Sequence, residues 1–215
     1  MKQFLTKNLI LTLTICLMTS CSEDSTVESL PVSIKSQLKI SKVLGEKNEE
    51  NQKIAYVLLS SEEKYSLWSN KYDELLNDRT HLKSQGIILN DEQQELIEEL
   101  KNKITKKIFE DKDSDEKAYF KNIYTPDFLK RAKKDFTKEQ LGIIFFKLSA
   151  PNSNTTLKQL STSRIANSEE NCDCNIGAIF TCQWGADRCN EASCEIKSNA
   201  CGFLGLWECN GMCAF

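Results

Sequence analysis

Ten cysteines and one histidine are the residues with the most chemistry in this 215-residue chain, and their placement is uneven. Eight of the cysteines lie between Cys172 and Cys213, whereas the 150 residues from Ser22 to Asn171 hold none. Cysteines in such density form disulfides, bind a metal or carry out thiol exchange. The tail spacings are C-x-C from Cys172, C-x6-C from Cys182, C-x4-C from Cys189 and C-x3-C from Cys209. No C-x-x-C pair occurs, and no histidine lies in the tail. The missing C-x-x-C argues against redox exchange, whereas C-x-C and C-x4-C also occur in metal sites, so it is export to an oxidising compartment that favours disulfides over zinc. The expectation is four disulfides among Cys172, Cys174, Cys182, Cys189, Cys194, Cys201, Cys209 and Cys213, with the pairing open. His81 lies in a polar stretch without a neighbouring serine or cysteine, so it reads as a solvated loop residue. No catalytic, cofactor-binding or metal residue is assigned, and an enzyme is not expected.

Disulfides on this scale require an oxidising compartment, and the N-terminus supplies a route to one. Lys2 and Lys7 precede an uncharged run from Asn8 to Thr19. That run is shorter than the ~20 residues of a bilayer span but suits the apolar centre of a signal peptide. It ends at Met18-Thr19-Ser20-Cys21, which looks like a bacterial lipobox. Residues 1–20 are therefore read as a lipoprotein signal peptide, with Cys21 the lipidated residue. Ser22-Glu23-Asp24 resembles the acidic tag that sends lipoproteins of Bacteroidetes-type bacteria to the cell surface. Several acyl chains at ~0.8 kcal/mol per buried CH₂ would anchor the chain firmly. The expected location is outside the cytosol, on the outer membrane or cell surface, with release of the C-terminal peptide as a further step. A net charge of −3 gives no basic footprint for nucleic acid.

The tail from Asn171 is too small to fold on burial alone, and five of the chain's eight glycines fall in it. Staples would supply what burial does not, each contributing ~2–4 kcal/mol. Its arrangement of Asn171-Cys-x-Cys, three singly spaced cysteines, Cys201-Gly202, and Gly205-Leu-Trp207-Glu-Cys209 before Asn210-Gly211 resembles fulvocin C. The whole architecture is similar to the fulvocin C-related proteins of Bacteroidetes. The resemblance covers the last 45 or so residues and implies a disulfide-bonded bacteriocin peptide. Cys213 departs from that pattern, so no pairing is carried over.

Phe180, Trp184, Phe203, Leu204, Trp207 and Phe215 are more large apolar groups than such a stapled domain hides easily. They are the candidates for contact with a target membrane or receptor. Against membrane attraction, the tail carries five acids and two bases, opposite to the charge that draws most antimicrobial peptides to anionic lipid. The alternative is that both tryptophans pack on the disulfides inside.

The elements that must present this tail are helical. Ile54, Val57, Leu58 and then Tyr65, Trp68, Tyr72, Leu75 and Leu76 recur at spacings of three and four. Ser60-Ser-Glu-Glu63 has capping-box order, and a longer stripe of Leu96, Ile97, Leu100, Ile104 and Ile108 follows Asn90. Thr125-Pro126-Asp127 reads as a helix start, because proline suits the first turn. Thr137-Lys-Glu-Gln140 opens a last helix with Leu141, Ile144, Phe145 and Leu148. Glu98-Glu-Leu-Lys101 reads as a solvated face with i,i+4 pairs, and Asp111 to Glu116 as a charged loop that lacks EF-hand order. The expected fold is mainly α: a lipid tether over 21–50, a small helical body over 51–148, a flexible linker over 149–170 and a disulfide-rich domain over 171–215.

Two function classes follow. One is a bacteriocin-like surface lipoprotein or precursor whose stapled peptide acts on competing bacteria, with the body tethering, escorting or masking it. The other is a surface-anchored binding or adhesion lipoprotein whose stapled recognition module is never shed. Expected partners are a membrane through the N-terminal lipid and a target-cell membrane or receptor. Neither nucleic acid nor a small-molecule substrate is expected.

Overall fold

The computed structural model describes residues 32–77, 88–112, 114–148, 174, 188–191 and 200–214. Within them the chain is mainly helical. Two units divide it, Met1–Leu38 and Lys39–Phe215. In the first, the described residues are helical, with Ile34 and Leu38 exposed.

Helix α1 runs from Val32 to Gly45, and α2 from Glu49 to Val57. Helical structure therefore starts within the stretch expected to be a tether. Its apolar signal is thin because, among its described side chains, Val43 alone is buried in the core, with Ile40 packed partly against it. Asn48 caps α2, its side chain accepting from the Asn51 amide at 3.0 Å. The face of α2 that turns inward is also not the one the stripe suggested. Tyr56 and Leu59 are buried, whereas Ile54 and Leu58 are exposed.

Helix α3, Ser61–Asn77, starts at the expected capping box. The Ser60 amide donates to Glu63 Oε2 at 2.8 Å, and the Glu63 amide donates to Ser60 Oγ at 3.2 Å. Leu67, Trp68, Tyr72 and Leu75 form its buried stripe. Helix α4, Asp91–Lys103, begins at a second reciprocal box between Asn90 and Gln93 and buries Leu96, Ile97 and Leu100. A short 3₁₀ turn over Lys106–Phe109 adds Ile108 and Phe109 to the core. Glu99 does not simply face solvent. Its carboxylate accepts from both terminal nitrogens of Arg131 at 2.6 and 2.7 Å and from the Tyr124 hydroxyl at 3.1 Å.

Helix α5, Asp115–Tyr119, passes through a wide π turn at Phe120–Tyr124 into α6, Thr125–Asp135. As the sequence predicts, α6 begins at Thr125 with Pro126 in its first turn, although the chain before it is already helical. In an ordinary α-helix its ring would clash with the carbonyl one turn back. The Thr125 amide instead reaches five residues back, to the Phe120 carbonyl, and the widened turn accommodates the ring. Helix α7, Lys138–Leu141, begins at the Thr137–Gln140 capping box and continues as a π turn over Gly142–Phe146. Leu141, Ile144, Phe145 and Leu148 are all buried.

The end of that helical run meets a buried cation. Lys71 Nζ donates to the Ile143 carbonyl at 2.7 Å and to the Lys147 carbonyl, and it lies 4.9 Å from the centre of the Trp68 ring. The carbonyls of a helix C-terminus have no partners of their own and favour positive charge. Burial nevertheless holds the Lys71 ammonium well below the ordinary lysine value.

Near the C-terminus, strands β1 (Arg188–Glu191) and β2 (Gly211–Ala214) pair antiparallel, with Cys189 opposite Cys213. The expected linker, 149–170, lies outside the described residues.

Candidate functional site

The loop from Cys201 to Cys209 is short and closed three ways. A disulfide joins its ends, with the two Cα atoms 5.2 Å apart. The Cys201 amide donates to the Trp207 carbonyl at 2.9 Å, and the Trp207 amide returns a bond to the Cys201 carbonyl at 3.0 Å. At the tip, Phe203–Gly205 forms a single 3₁₀ turn. So tight a ring needs left-handed backbone, found at Gly202 (φ 72°), Leu204 (φ 56°) and Gly205 (φ 63°). Glycine adopts that region freely, but leucine does so at a cost of ~1–2 kcal/mol.

What offsets that cost is the helical body. Phe203 lies among Phe120, Phe128, Phe145 and Phe146, with ring centres 5.6 to 6.4 Å away. Phe203 and Leu204 are both 0 % exposed, and Leu206 is also buried in this core. The Leu204 carbonyl accepts from the Tyr56 hydroxyl at 3.0 Å, and that hydroxyl accepts from Trp68 Nε1 at 3.1 Å. Burial raises the Tyr56 phenol far above its ordinary range, so it stays a donor to the loop. Gly205 presses on the same ring: a Cβ there would stand 2.9 Å from Tyr56 Cε1. At the rim, the Lys121 ammonium lies 5.1 Å from the centre of the Trp207 ring.

A second staple ties the neighbouring backbone together. Cys174 and Cys189 are disulfide-bonded, their Cα atoms 6.0 Å apart. The Cys174 amide donates to the Gly211 carbonyl at 3.1 Å, and the Asn210 and Gly211 amides donate to the Cys174 carbonyl at 2.9 and 3.0 Å. Gly211 cannot carry a side chain, because a Cβ would lie 2.5 Å from Cys189 Sγ and 2.6 Å from the Asn190 carbonyl. Disulfides of this kind are compatible with an exported protein.

Several residues singled out in the sequence are thereby placed. Cys174, Cys189, Cys201 and Cys209 are in disulfides. Cys213 lies in β2. Phe203 and Leu204, expected to be exposed for membrane or target contact, are instead fully buried. The physical reason is that the body provides the apolar surroundings that a stapled tail alone lacks. Trp207 is half-buried and packs against the same core. Cys21, His81, Cys172, Phe180, Cys182, Trp184, Cys194 and Phe215 lie outside the described residues.

Sequence reasoning missed Tyr56, Phe120 and Phe146 as partners of the tail. Tyr56 stands 148 positions from Leu204, and no local pattern links such a pair. Among the described residues no cluster of three or more histidine, cysteine or acidic side chains could hold a metal ion. Among the same residues no helix is long and apolar enough to cross a membrane. Together these observations describe a stapled loop plugged into an aromatic socket. No protein-family model, curated protein or solved structure matches the chain.

Proposed function

We propose that this chain is a bacteriocin-like surface lipoprotein or precursor, of fulvocin C-related type, in which the helical body masks the C-terminal stapled segment. In this reading Cys21 carries the lipid, the protein faces outward from the outer membrane, and the tail acts on a competing bacterium's membrane or receptor. The reading assigns no catalysis. The observation that carries it is the burial of Phe203, Leu204 and Leu206 in the body. A peptide meant for apolar contact with another cell must keep those groups covered until it acts, because large exposed apolar patches mark interaction sites and aggregate.

The test is growth inhibition of related bacteria by the whole oxidised protein, before and after a cut between residues 149 and 171. Inhibition that appears on cutting supports the proposal. No inhibition across a broad panel, cut or uncut, refutes it. Intact mass of the native protein, before and after reduction, reports lipidation and disulfide number in the same material.

A second reading is a surface-anchored binding lipoprotein whose tail is never shed. What favours it is the left-handed Leu204 backbone, whose cost the body offsets only while the loop stays docked. Finding the native chain only intact and cell-associated would support that alternative.

A further inference from the structure

We infer that the helical body is a receptor for the Cys201–Cys209 loop, so that a chain cut between them remains a two-piece complex and proteolysis alone does not free the peptide. The inference builds on the masking reading above, but its test reads association and not killing, so the two can fail separately.

The contacts that seat the loop run between residues 56–146 on one side and 203–207 on the other. Phe203 fills the space between Phe120, Phe128, Phe145 and Phe146. The Tyr56 hydroxyl holds the Leu204 carbonyl at a point where both are buried. Lys121 covers the Trp207 ring at the edge. This is the anatomy of a tight interface: a central aromatic anchor in a dry pocket, a buried hydrogen bond, and a charged group at the rim.

The loop also arrives closed into a ring, and only the left-handed Leu204 backbone relies on the socket. Its disulfide and the paired bonds between Cys201 and Trp207 fix its shape. Little conformational freedom is therefore lost on docking. None of these attachments is covalent, because residues 22–171 contain no cysteine.

Two consequences distinguish this arrangement from a simple pro-segment. Release requires a second event after the cut, one that competes for Phe203 and Leu204, such as insertion into an apolar phase. A body that has lost its own loop also presents an open socket, and the ligand that fits it is the stapled loop of a second copy of this chain.

The experiment uses the full oxidised chain with a specific protease recognition sequence inserted after Asn154. The cut protein is run on gel filtration in native buffer at micromolar concentration, and again in urea without reductant. Co-elution in native buffer with separation in urea is the expected result. Separation in native buffer, while circular dichroism shows the body still helical, overturns the inference. Phe203→Ala, cut in the same way, should dissociate with an equilibrium constant weakened roughly a hundredfold or more.

If that variant fails to fold, Tyr56→Phe carries the test. It keeps the ring that Gly205 packs on and removes only the hydroxyl that holds Leu204. The cut Tyr56→Phe protein should lose its peptide roughly tenfold faster than the parent. An unchanged rate would overturn the proposed seat.

Discussion

Replacing Phe203 by alanine tests whether the stapled loop is part of the helical core. The side chain is 0 % exposed and has aromatic neighbours on α5–α6 and on the run that follows α7. Truncation removes the transfer free energy of a phenyl group and leaves a cavity between rings that cannot all collapse into it. Substitutions of this kind cost about 3–5 kcal/mol, and lost ring–ring contacts account for part of that. Against a total stability of roughly 5–15 kcal/mol the loss is large. For a chain of this length it lowers the melting temperature by roughly 10 °C. The assay is urea denaturation of the full oxidised chain followed by far-UV circular dichroism, so that the signal comes from helices remote in sequence from the substitution. Tyr119→Ala is the control, because Tyr119 lies 57 % exposed on α5 and should shift stability within about 0.5 kcal/mol. A loss below about 1 kcal/mol for Phe203→Ala, or a helical transition indistinguishable from that of the control, would refute the docking of the loop.

Three further outcomes are expected from the same denaturation assay. Replacing both Cys201 and Cys209 by alanine opens a loop with a sequence separation of 8, which in the chain-entropy account costs about 2.5 kcal/mol. The loss should be visible as a lower urea midpoint of the helical transition. Gly205→Ala places a Cβ 2.9 Å from Tyr56 Cε1 at a φ of +63°, and the left-handed backbone alone costs an L residue ~1–2 kcal/mol. It should destabilise the helical body even though the position lies outside it. Glu99→Gln should destabilise at neutral pH by about 1 kcal/mol or less, because the pair with Arg131 is partly solvent-screened. The bonds from Arg131, and then from Tyr124, hold the Glu99 carboxyl below its ordinary range. Its contribution is therefore present above the unfolded carboxylate value and is lost as pH falls through the depressed folded value. Parent and variant stabilities should converge in acid.

Much of the helical body was legible because its signals are local. The boxes at Ser60–Glu63 and Thr137–Gln140 each join residues three apart, and both form as the sequence order predicts. The stripe of Leu96, Ile97 and Leu100 repeats at helical spacing and is buried. Legibility failed where burial depended on a partner rather than on a pattern. Ile54 and Leu58 match the period as well as Tyr56 and Leu59 do, yet only the latter pair is buried. Helix α1 has too few buried positions to show a period at all. At Pro126 the α-helix begins where the local rule puts it, but the π turn over Phe120–Tyr124 that leads into it carries no local signal. Glu99 read as half of an i,i+4 pair, but the bidentate geometry of Arg131 on another helix gives it a better partner.

The tail shows the same limit in its strongest form. Counting apolar groups against size led to an expectation of exposed apolar surface, and that exposure followed only if the tail was alone. The structure resolves that surplus differently, by placing Phe203, Leu204 and Leu206 in a core with the helices. The dependence runs both ways. Without the loop, Phe120, Phe128 and Phe145 would line a cavity, and without the body, Leu204 would hold a left-handed conformation with no buried contact to offset it. The staple and the socket are therefore two halves of one packing solution. The Cys201–Cys209 disulfide shapes the loop, but the aromatic socket determines where that shape is stable.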